Sequence, residues 1–303
     1  MSIFVGFDGG GTYSRYIIQK NDAVPTLHHF EESIKPSEHS VLYTSERITA
    51  HLQEILGDEI NHICSIAISI SGAGSAEQKL ELSNLISSAL PLRSQNVIVE
   101  SDSLLGLEAS YHSENTAGIF CILGSGSVIT ARTYTNATLK VGGWGKQFGD
   151  QGSAFSIGSK SIRYYCRAVD GLAEKGLLFD TIHMQLESKS REIEIPVRDY
   201  IQSGSINILE ISKITLNSQK EDIIAKTIID SSIEEIVTDI VSFYESHRGE
   251  LLKHITLHGG LMQVPYFQDH MLHDLKHHGF GVQILDMQEL LNYTLRKAKT
   301  ICS

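Results

Sequence analysis

The sequence predicts an α/β protein built as two domains, and three observations lead to that fold class. Segments with strand-like and helix-like patterns alternate along all 303 residues. The order strand-strand-strand-helix-strand-helix-strand-helix occurs twice, and each half has a glycine-rich turn after its first strand. A chain of this length with 41% hydrophobic residues can bury two separate cores. We therefore expect an architectural duplication, although no repeat is visible at the level of residues.

The first half contains several apolar segments of strand length. They predict strands at residues 3–7, 15–20, 26–30, 66–70 and 97–99. Helical periodicity between the third and fourth of these strands runs from 46 to 56, and Gly57 is typical of a residue that ends a helix. Ser75 and Gln78 form a capping box, which predicts that a second helix begins there.

The second half repeats this order with a longer helical part. Its predicted strands lie at residues 119–123, 128–134, 138–141, 255–258 and 282–285. Its predicted helices include those at 153–166, after Pro265, and from 287 to about 301. Ser218 and Glu221 form a second capping box, which predicts the start of a long core helix that reaches Gly249. The segment 171–217 has the weakest pattern, and we expect a helical insertion there.

The composition argues against several classes of partner. Lys and Arg total 25 against 36 Asp and Glu, a net charge of −11, which argues against nucleic acid and against an anionic membrane surface. The sequence has no run of 18 apolar residues and no basic leader region, so we expect a cytoplasmic protein. Its four cysteines lack the spacing of a metal site or a disulfide scaffold, and we expect them to be reduced and mostly packed.

The segment that follows the first strand carries the clearest chemical signal. It consists of Asp8, Gly9, Gly10, Gly11 and Thr12. Glycine adopts positive φ freely, so successive N–H groups can converge on an anion, whereas the carboxylate of Asp8 has to face a cation. A nucleotide with Mg²⁺ is the natural occupant, and a plain hairpin turn is the alternative.

A second glycine turn follows the first strand of the other half. It consists of Gly124, Ser125, Gly126 and Ser127. Neither turn is followed by the Lys and Ser/Thr of a Walker A motif, and the first has Ser14 where a dinucleotide fingerprint needs its third glycine. Two such turns, one in each half, could face each other across a cleft and hold the same polyphosphate.

A longer motif narrows the family. The run Gly142 to Ala154, GGWGKQFGDQGSA, resembles the family pattern GGWGxxxGDEGSA, and Gly259-Gly260 resembles an adenosine motif. With the two glycine turns, nearly the whole chain is similar to the N-acetylglucosamine kinase and glucosamine kinase branch of the BadF/BadG ATPases. That branch lies within the sugar-kinase, heat-shock-protein-70 and actin superfamily.

The resemblance implies a fold and cofactors. Each half should be a ribonuclease-H-like domain, at 1–114 and 115–286, with an interdomain cleft. A final helix at 287–303 should pack back on the first domain. The implied cofactors are ATP, with its phosphates at the two glycine turns, and Mg²⁺, held by Asp8 mainly through water.

The resemblance also implies roles at the sugar site. Asp102, between a buried strand and a helix, would be the catalytic base that accepts the proton of the sugar hydroxyl. Asp150 would accept hydrogen bonds from sugar hydroxyls. The residues expected to line the sugar site are Ser71, Gly72, Gly143, Trp144, Asp150, Gln151 and Ala154. Helix capping is the alternative for both carboxylates, and an ordinary core position is the alternative for Trp144.

Two departures from the family pattern leave the preference at the 2-position of the sugar open. Gln151 stands where the acetylglucosamine-kinase pattern has Glu, and Lys35-Pro36-Ser37 occupies the region where the family commonly supplies an Asn. We expect an ATP-dependent kinase that phosphorylates a small-molecule amino sugar, glucosamine or N-acetylglucosamine, at O6. A homodimer is one option for its assembly.

Two other functions fit part of this pattern. A nucleotide-binding sensor that has lost catalysis is one, although it has no evident use for Asp8, Asp102 and Asp150 together. An ATP-driven electron-transfer activator of the BadF/BadG type is the other. An activator needs thiolates for an iron–sulfur cluster, whereas Cys121 lies on a buried-looking strand and the other cysteines lack cluster spacing.

Overall fold

The computed structural model describes residues 1–10, 13–111 and 116–302 of the chain. The chain divides into two compact units. Unit 1 consists of Met1–Glu114 and Leu285–Ser303, and unit 2 consists of Asn115–Ile284. The two ends of the chain therefore belong to the same unit.

Unit 1 is built on a mixed β-sheet. Its strands are β1 (Ile3–Gly9), β2 (Ser14–Lys20), β3 (Thr26–Phe30), β4 (Ile63–Ile70) and β5 (Val97–Ser101). They lie in the order β3-β2-β1-β4-β5. The neighbours β1 and β2 are antiparallel, as are β2 and β3, whereas β1, β4 and β5 run parallel. The central strands β1 and β4 are almost wholly buried, which explains their near-continuous apolar sequence.

Helices pack against this sheet. They include α1 (Val41–Leu56), α2 (Ala76–Ala89) and α3 (Asp102–Ser110). The hydroxyl of Ser40 caps α1, and Gly57 ends it with a φ of 53°. Ser75 and Gln78 form the predicted capping box of α2. The apolar faces of α1 and α2 contribute to the core of unit 1 with Ile48, Leu52, Leu82 and Ile86.

Unit 2 repeats the topology of unit 1. Its strands are β6 (Gly118–Leu123), β7 (Ser127–Arg132), β8 (Thr138–Gly142), β9 (His254–His258) and β10 (Gly281–Ile284). They lie in the order β10-β9-β6-β7-β8, with β6 antiparallel to β7 and parallel to β9. Strands β6 to β10 therefore take the places of β1 to β5. The shared order confirms the predicted α/β class and the predicted duplication.

The helical part of unit 2 is larger. Its helices are α4 (Ala154–Val169), α5 (Leu177–Glu192), α6 (Val197–Gln202), α7 (Ile208–Ser218), α8 (Ile223–Ser246) and α9 (Pro265–His277). Helices α5, α6 and α7 form the insertion predicted for 171–217. Helix α8 contributes apolar side chains to the core of unit 2, among them Ile229, Ile233, Ile236 and Ile240. No helix in the described part of the chain is both long enough and apolar enough to cross a membrane.

The start of α8 differs from the prediction. Ser218 is the last residue of α7, and its hydroxyl donates back to a carbonyl of that helix at 2.9 Å. The N-cap of α8 is Asp222, whose carboxylate accepts hydrogen bonds from the N–H groups of Ile224 and Ala225 at 2.7 and 2.9 Å. The capping box predicted at Ser218 and Glu221 is therefore wrong, because Asp222 satisfies two first-turn amides by itself.

The last helix, α10 (Met287–Cys302), packs on the sheet of unit 1 although it follows the last strand of unit 2. Leu291 and Leu295 pack on β2. Gly6 in β1 leaves room for the helix, since a Cβ added there would lie 2.7 Å from the backbone nitrogen of Leu295. The hydroxyl of Ser65 in β4 donates to the carbonyl of Ala298 at 2.6 Å. The C-terminal helix therefore covers the central strands of unit 1.

Candidate functional site

The parallel strands of unit 1 end side by side. β1 ends at Gly9, β4 at Ile70 and β5 at Ser101, and the strand register pairs Gly9 with Ile70 and Ile70 with Ser101. In α/β sheets, ligands bind outside the carboxyl ends of parallel strands. We call this border the unit 1 edge. Three predicted positions lie along it: Asp8, the Ser71-Gly72 turn and Asp102.

Asp8 is a buried carboxylate, only 5% exposed. Its Oδ1 accepts a hydrogen bond from the hydroxyl of Ser69 at 3.1 Å, and its Oδ2 lies 3.6 Å from Nη1 of Arg15. A buried charge requires such partners. Mg²⁺ binds through few carboxylates and several waters, so this oxygen donor at a strand end fits the ion.

The residues on either side of the first glycine turn lie close together. The N–H of Gly10 donates to the carbonyl of Tyr13 at 3.0 Å, and Gly9 pairs with Ser14 across the hairpin. A Cβ added at Gly9 would lie 2.8 Å from the ring of Phe7, so only glycine fits there without a shift. Two further residues of the predicted phosphate site lie outside the described residues, namely Gly11 and Thr12. Phosphate binding by this turn stays a prediction.

The turn after β4 is held on two sides. The N–H of Ser71 donates to the carbonyl of Gly9 at 3.0 Å. Gly72 has a φ of 87°, and a Cβ added there would clash with the hydroxyl of Ser37. The predicted sugar-site turn therefore contacts both the end of β1 and the segment that precedes α1.

Asp102 is the first residue of α3 and is half-buried. Its carboxylate accepts a hydrogen bond from the N–H of Ser103 at 2.8 Å. The N-cap of α3 is Ser101, whose hydroxyl accepts a hydrogen bond from the N–H of Leu104 at 3.3 Å. Ser101 is therefore the N-cap of α3, although Asp102 also accepts the N–H of one first-turn residue. The helix dipole favours an anion at this position.

The glycine turn of unit 2 joins β6 to β7. The N–H of Gly124 donates to the carbonyl of Gly126 at 3.0 Å. The start of α4 rests on the turn, because the N–H of Ala154 donates to the carbonyl of Gly124 at 3.0 Å and that of Phe155 to Ser125 at 3.3 Å. Ala154, predicted at the sugar site, therefore contacts the predicted phosphate turn through its backbone.

Asp150 contacts the same turn. It is 7% exposed, and its Oδ1 accepts a hydrogen bond from the N–H of Ser127 at 3.2 Å. The hydroxyl of Ser127 donates to the carbonyl of Gln151 at 2.7 Å. Gly126 makes room for the carboxylate, since a Cβ there would lie 2.9 Å from Oδ2 of Asp150. The cap of α4 is Ser153, so the capping alternative for Asp150 is wrong.

Trp144 is 79% exposed, so the core alternative for this residue is wrong as well. Phe148 on the same loop is 82% exposed. The backbone of the loop takes positive φ at Gly142, Gly143 and Gly145, which side chains with a Cβ rarely allow. The glycines of the GGWG run therefore shape a loop that presents two aromatic rings to solvent.

The backbone conformation directly after β9 requires a glycine at position 259. Its φ is 115°, and a Cβ added there would lie 2.7 Å from the carbonyl carbon of Leu123. Leu123 is the last residue of β6 and directly precedes Gly124. Nothing lies within 4 Å of a Cβ added at Gly260. The predicted adenosine motif and the predicted phosphate turn are therefore neighbours at the strand ends of unit 2.

The sequence analysis missed an open groove of about 530 Å³ in unit 2. A single turn, Gly260–Gln263, leads from the predicted adenosine motif into it. Residues near the end of α7 and the start of α9 line the groove: Leu216, Asn217, Gln219, Lys220, Val264, Pro265 and Tyr266. These two segments are far apart along the chain, so no contiguous motif marks the groove.

Cys121 bears on the electron-transfer alternative. It is fully buried in β6, and burial raises the pKa of its thiol. A cluster ligand must be a thiolate, which this burial disfavours. Across residues 1–10, 13–111 and 116–302, no group of three or more His, Cys, Asp and Glu side chains could hold a metal ion.

Comparisons with known proteins relate the chain to one family of ATPases. A model of the BadF/BadG/BcrA/BcrD ATPase family matches residues 5–286. The chain is 27% identical to a protein of Clostridium acetobutylicum named N-acetylmuramic acid/N-acetylglucosamine kinase, over 95% of each chain.

Two solved structures, each named as a candidate N-acetylglucosamine kinase, share the fold. The structure from Chromobacterium violaceum has a TM-score of 0.75 at 16% identity and covers 100% of this chain and 99% of its own. The structure from Porphyromonas gingivalis has a TM-score of 0.73 at 18% identity and covers 98% of this chain and 99% of its own. At these identities the likeness shows the fold alone, and it confirms the predicted fold class.

Proposed function

The chain belongs to the BadF/BadG/BcrA/BcrD ATPase family, and from this membership and the residues at its strand ends we propose that it is an ATP-dependent kinase of an amino sugar. The relative named N-acetylmuramic acid/N-acetylglucosamine kinase aligns over 95% of both chains. The substrates to test first are therefore N-acetylglucosamine, N-acetylmuramic acid and glucosamine.

The position of Asp102 carries the proposal. It follows β5 at the unit 1 edge, where Asp8 is buried beside the first glycine turn. Ser101 is the N-cap of α3, so the helix does not depend on an Asp at position 102 for its cap, although that carboxylate also accepts the N–H of Ser103. Phosphoryl transfer to an alcohol needs one carboxylate to accept the hydroxyl proton and separate charges to neutralise the phosphates. Asp102 fits the first role. Asp8 is itself an anion, so it would serve the second role only by holding the Mg²⁺ that neutralises the phosphates.

In the proposed reaction, O6 of the sugar attacks the γ-phosphorus of ATP. The bond from that phosphorus to the β,γ-bridging oxygen breaks, and ADP leaves with the electron pair. Asp102 accepts the proton of the O6 hydroxyl. Mg²⁺, held by Asp8 mainly through water, would neutralise charge on the phosphates.

Asp150 and the Ser71-Gly72 turn would orient the sugar. Oδ1 of Asp150 accepts a hydrogen bond from Ser127, so Oδ2 is the oxygen that we assign to the sugar hydroxyls. Gln151, Gly143 and Trp144 would complete the sugar site. The carbonyl of Gln151 accepts a hydrogen bond from the hydroxyl of Ser127, so the proposed sugar-binding residues contact the proposed phosphate turn.

The glycine turns would hold the phosphates, with adenosine at Gly259-Gly260 and in the adjoining groove. A structure with Mg²⁺ and a non-hydrolysable ATP analogue tests this assignment. The β- and γ-phosphates should contact the backbone of both 9–12 and 124–127. Contacts with only one of the two turns would contradict it.

The central experiment is a coupled assay of ADP release over a panel of hexoses and amino sugars, with ATP binding measured by calorimetry. We expect sugar-dependent ADP release, with the highest kcat/KM on an amino sugar, and mass spectrometry of the product should place the phosphate on O6. A protein that binds ATP but releases no ADP with any sugar would favour the sensor alternative over the kinase.

A further inference from the structure

The segment between β3 and α1 is tied to α1 by one carboxylate. Glu32 accepts hydrogen bonds from Nε and Nη2 of Arg47, each at 2.9 Å, and from the hydroxyl of Tyr43 at 2.9 Å. Nε2 of His51 lies 3.1 Å from the same carboxylate, and Nδ1 of His51 lies 2.9 Å from the hydroxyl of Tyr16. We call these five residues the Glu32 cluster.

A buried histidine distinguishes this cluster from an ordinary surface ion pair. His51 is 2% exposed and stacks on the ring of Phe30, with 3.7 Å between the ring centroids. Because a carboxylate only accepts, Nε2 of a neutral His51 donates to Glu32, and Nδ1 accepts from Tyr16. The two hydrogen bonds from Arg47 to the carboxylate of Glu32 form the geometry that is strongest between these groups.

Further hydrogen bonds fix the residues that follow Glu32. The hydroxyl of Ser14 donates to the carbonyl of Glu32 at 3.0 Å, and the hydroxyl of Thr44 donates to the carbonyl of Ile34 at 2.8 Å. Ile34 is fully buried, and the carbonyl of Lys35 accepts the N–H groups of two later residues. The segment therefore has a defined shape although it is neither helix nor strand.

The far end of the segment meets the predicted sugar-site turn. Ser37 fills the space beside Gly72, and a Cβ added at Gly72 would also lie 3.2 Å from the backbone nitrogen of Ser37. Ser71 is bonded to Gly9 on the other side. We propose that Glu32 is a positioning residue that sets the place of Ser37 against Ser71-Gly72, and thereby the fit of the sugar. This inference rests on the proposed function.

The first test is Glu32→Gln, which keeps the side-chain volume but removes the charge that Arg47 contacts. We expect KM for the sugar to rise about tenfold while kcat and KM for ATP change by less than about twofold, because a shifted positioning group weakens substrate fit. Arg47→Lys loses the two-pronged contact and should raise KM for the sugar in the same direction. The control is Glu59→Gln, which breaks the Lys20–Glu59 ion pair on the surface of the same unit and should leave KM unchanged.

A second test asks whether Glu32 acts through Ser37. In a Ser37→Ala background, Glu32→Gln should raise KM for the sugar by less than about twofold, since effects that share one contact do not add. A full further tenfold rise in that background would overturn the inference, as would an equal rise in KM for ATP.

A third readout is independent of activity. Hydrogen exchange at residues 33–39 and 71–74 should quicken in Glu32→Gln and stay unchanged in Glu59→Gln. Unchanged exchange in both variants would overturn the positioning role even if the protein phosphorylates sugars. A wild-type protein that phosphorylates no sugar would instead contradict the proposed function, and the exchange result would still decide the role of Glu32 in the segment.

Discussion

The two units have the same strand order, yet they support their glycine turns differently. In unit 1 the charge beside the turn is Asp8, which belongs to β1 itself and contacts Ser69 and Arg15. In unit 2, β6 has the sequence GIFCIL, without an acidic residue, and the carboxylate comes from Asp150 far along the chain. The repeated topology places a turn at the same point in each sheet, but the charge beside it comes from a different element.

The remaining strand ends extend this contrast. β5 of unit 1 leads into Asp102, whereas β9 of unit 2 leads into Gly259-Gly260. Both units have glycines at these strand ends, but only in unit 1 do the strands themselves lead into carboxylates, at Asp8 in β1 and at Asp102 after β5. Under the proposed function, the carboxylates of unit 1 would serve proton transfer and metal binding, and the glycines of unit 2 would let the backbone approach the nucleotide closely.

The largest expected effect removes one of the two carboxylates that distinguish the strand ends of unit 1. Asp102→Asn keeps the size of the side chain but removes the proton acceptor, so kcat should fall by roughly 10²–10⁴ while ATP binding and Tm stay near wild type. The matched control is Ser101→Ala, which removes the cap of α3 and should lower stability by about 1 kcal/mol with a much smaller loss of kcat. Near-normal turnover in a folded Asp102→Asn protein would contradict the assignment of the base.

The next largest effect is expected from replacing a glycine at a strand end of unit 2. Gly259→Ala forces a Cβ into the backbone of Leu123 at an unfavourable φ, so we expect a loss of about 2–4 kcal/mol in unfolding free energy and weaker ATP binding. Gly260→Ala meets open space within the protein and serves as the control for the unfolding free energy. Denaturant titration and calorimetry measure both quantities. Equal tolerance of the two substitutions would argue against the close approach at Gly259.

A smaller effect is expected on the pH dependence of stability, and it should arise from His51 in unit 1. Burial, followed by the charge of Arg47, lowers the pKa of His51 below its usual value. The unfolded chain then binds more protons than the folded one just below pH 6.5, so stability should fall as pH drops through this range. His51→Gln should lose less stability than the wild type between pH 7 and pH 5.5. If thermal melting shows the same loss of stability between pH 7 and pH 5.5 in the wild type and in His51→Gln, this role of His51 is contradicted.

The smallest effect concerns the sugar itself. Gln151→Glu restores the anion of the family pattern, which can pair with a protonated amine, in place of an amide that both donates and accepts. The ratio of kcat/KM for glucosamine to that for N-acetylglucosamine should change by more than about threefold, on the order of 0.7 kcal/mol. The coupled assay measures it, and an unchanged ratio would mean that residue 151 does not read the 2-substituent.

Most elements of the fold could be predicted from local patterns. The alternation of apolar and polar residues indicated the strands, and an apolar period of 3.6 residues indicated the helices. The capping box of Ser75 and Gln78 correctly predicted the start of α2. The error at Ser218 has a physical cause. The capping-box pattern shows that two side chains are able to cap a helix, but not that the helix begins there. The neighbouring Asp222 caps the first turn of α8 by itself.

The candidate site divides in the same way. The residues of contiguous motifs, such as Asp8 and the run from Gly142 to Ala154, could be proposed from their sequence. The Glu32 cluster and the groove of unit 2 could not, because strands and helices that are distant in the chain contribute their members. Only packing brings Tyr16, Glu32 and His51 together.

The sequence by itself determined the α/β class, the two-fold repeat of its strand order and the family, because periodicity and glycine spacing are local properties of the chain. Tertiary structure alone decided which partners those elements meet. It brought the backbone of α10 against Gly6, joined Asp150 to Ser127, and left Trp144 exposed. The physical reason is that a local pattern specifies which face of an element is apolar, whereas the surface that buries this face depends on the whole chain.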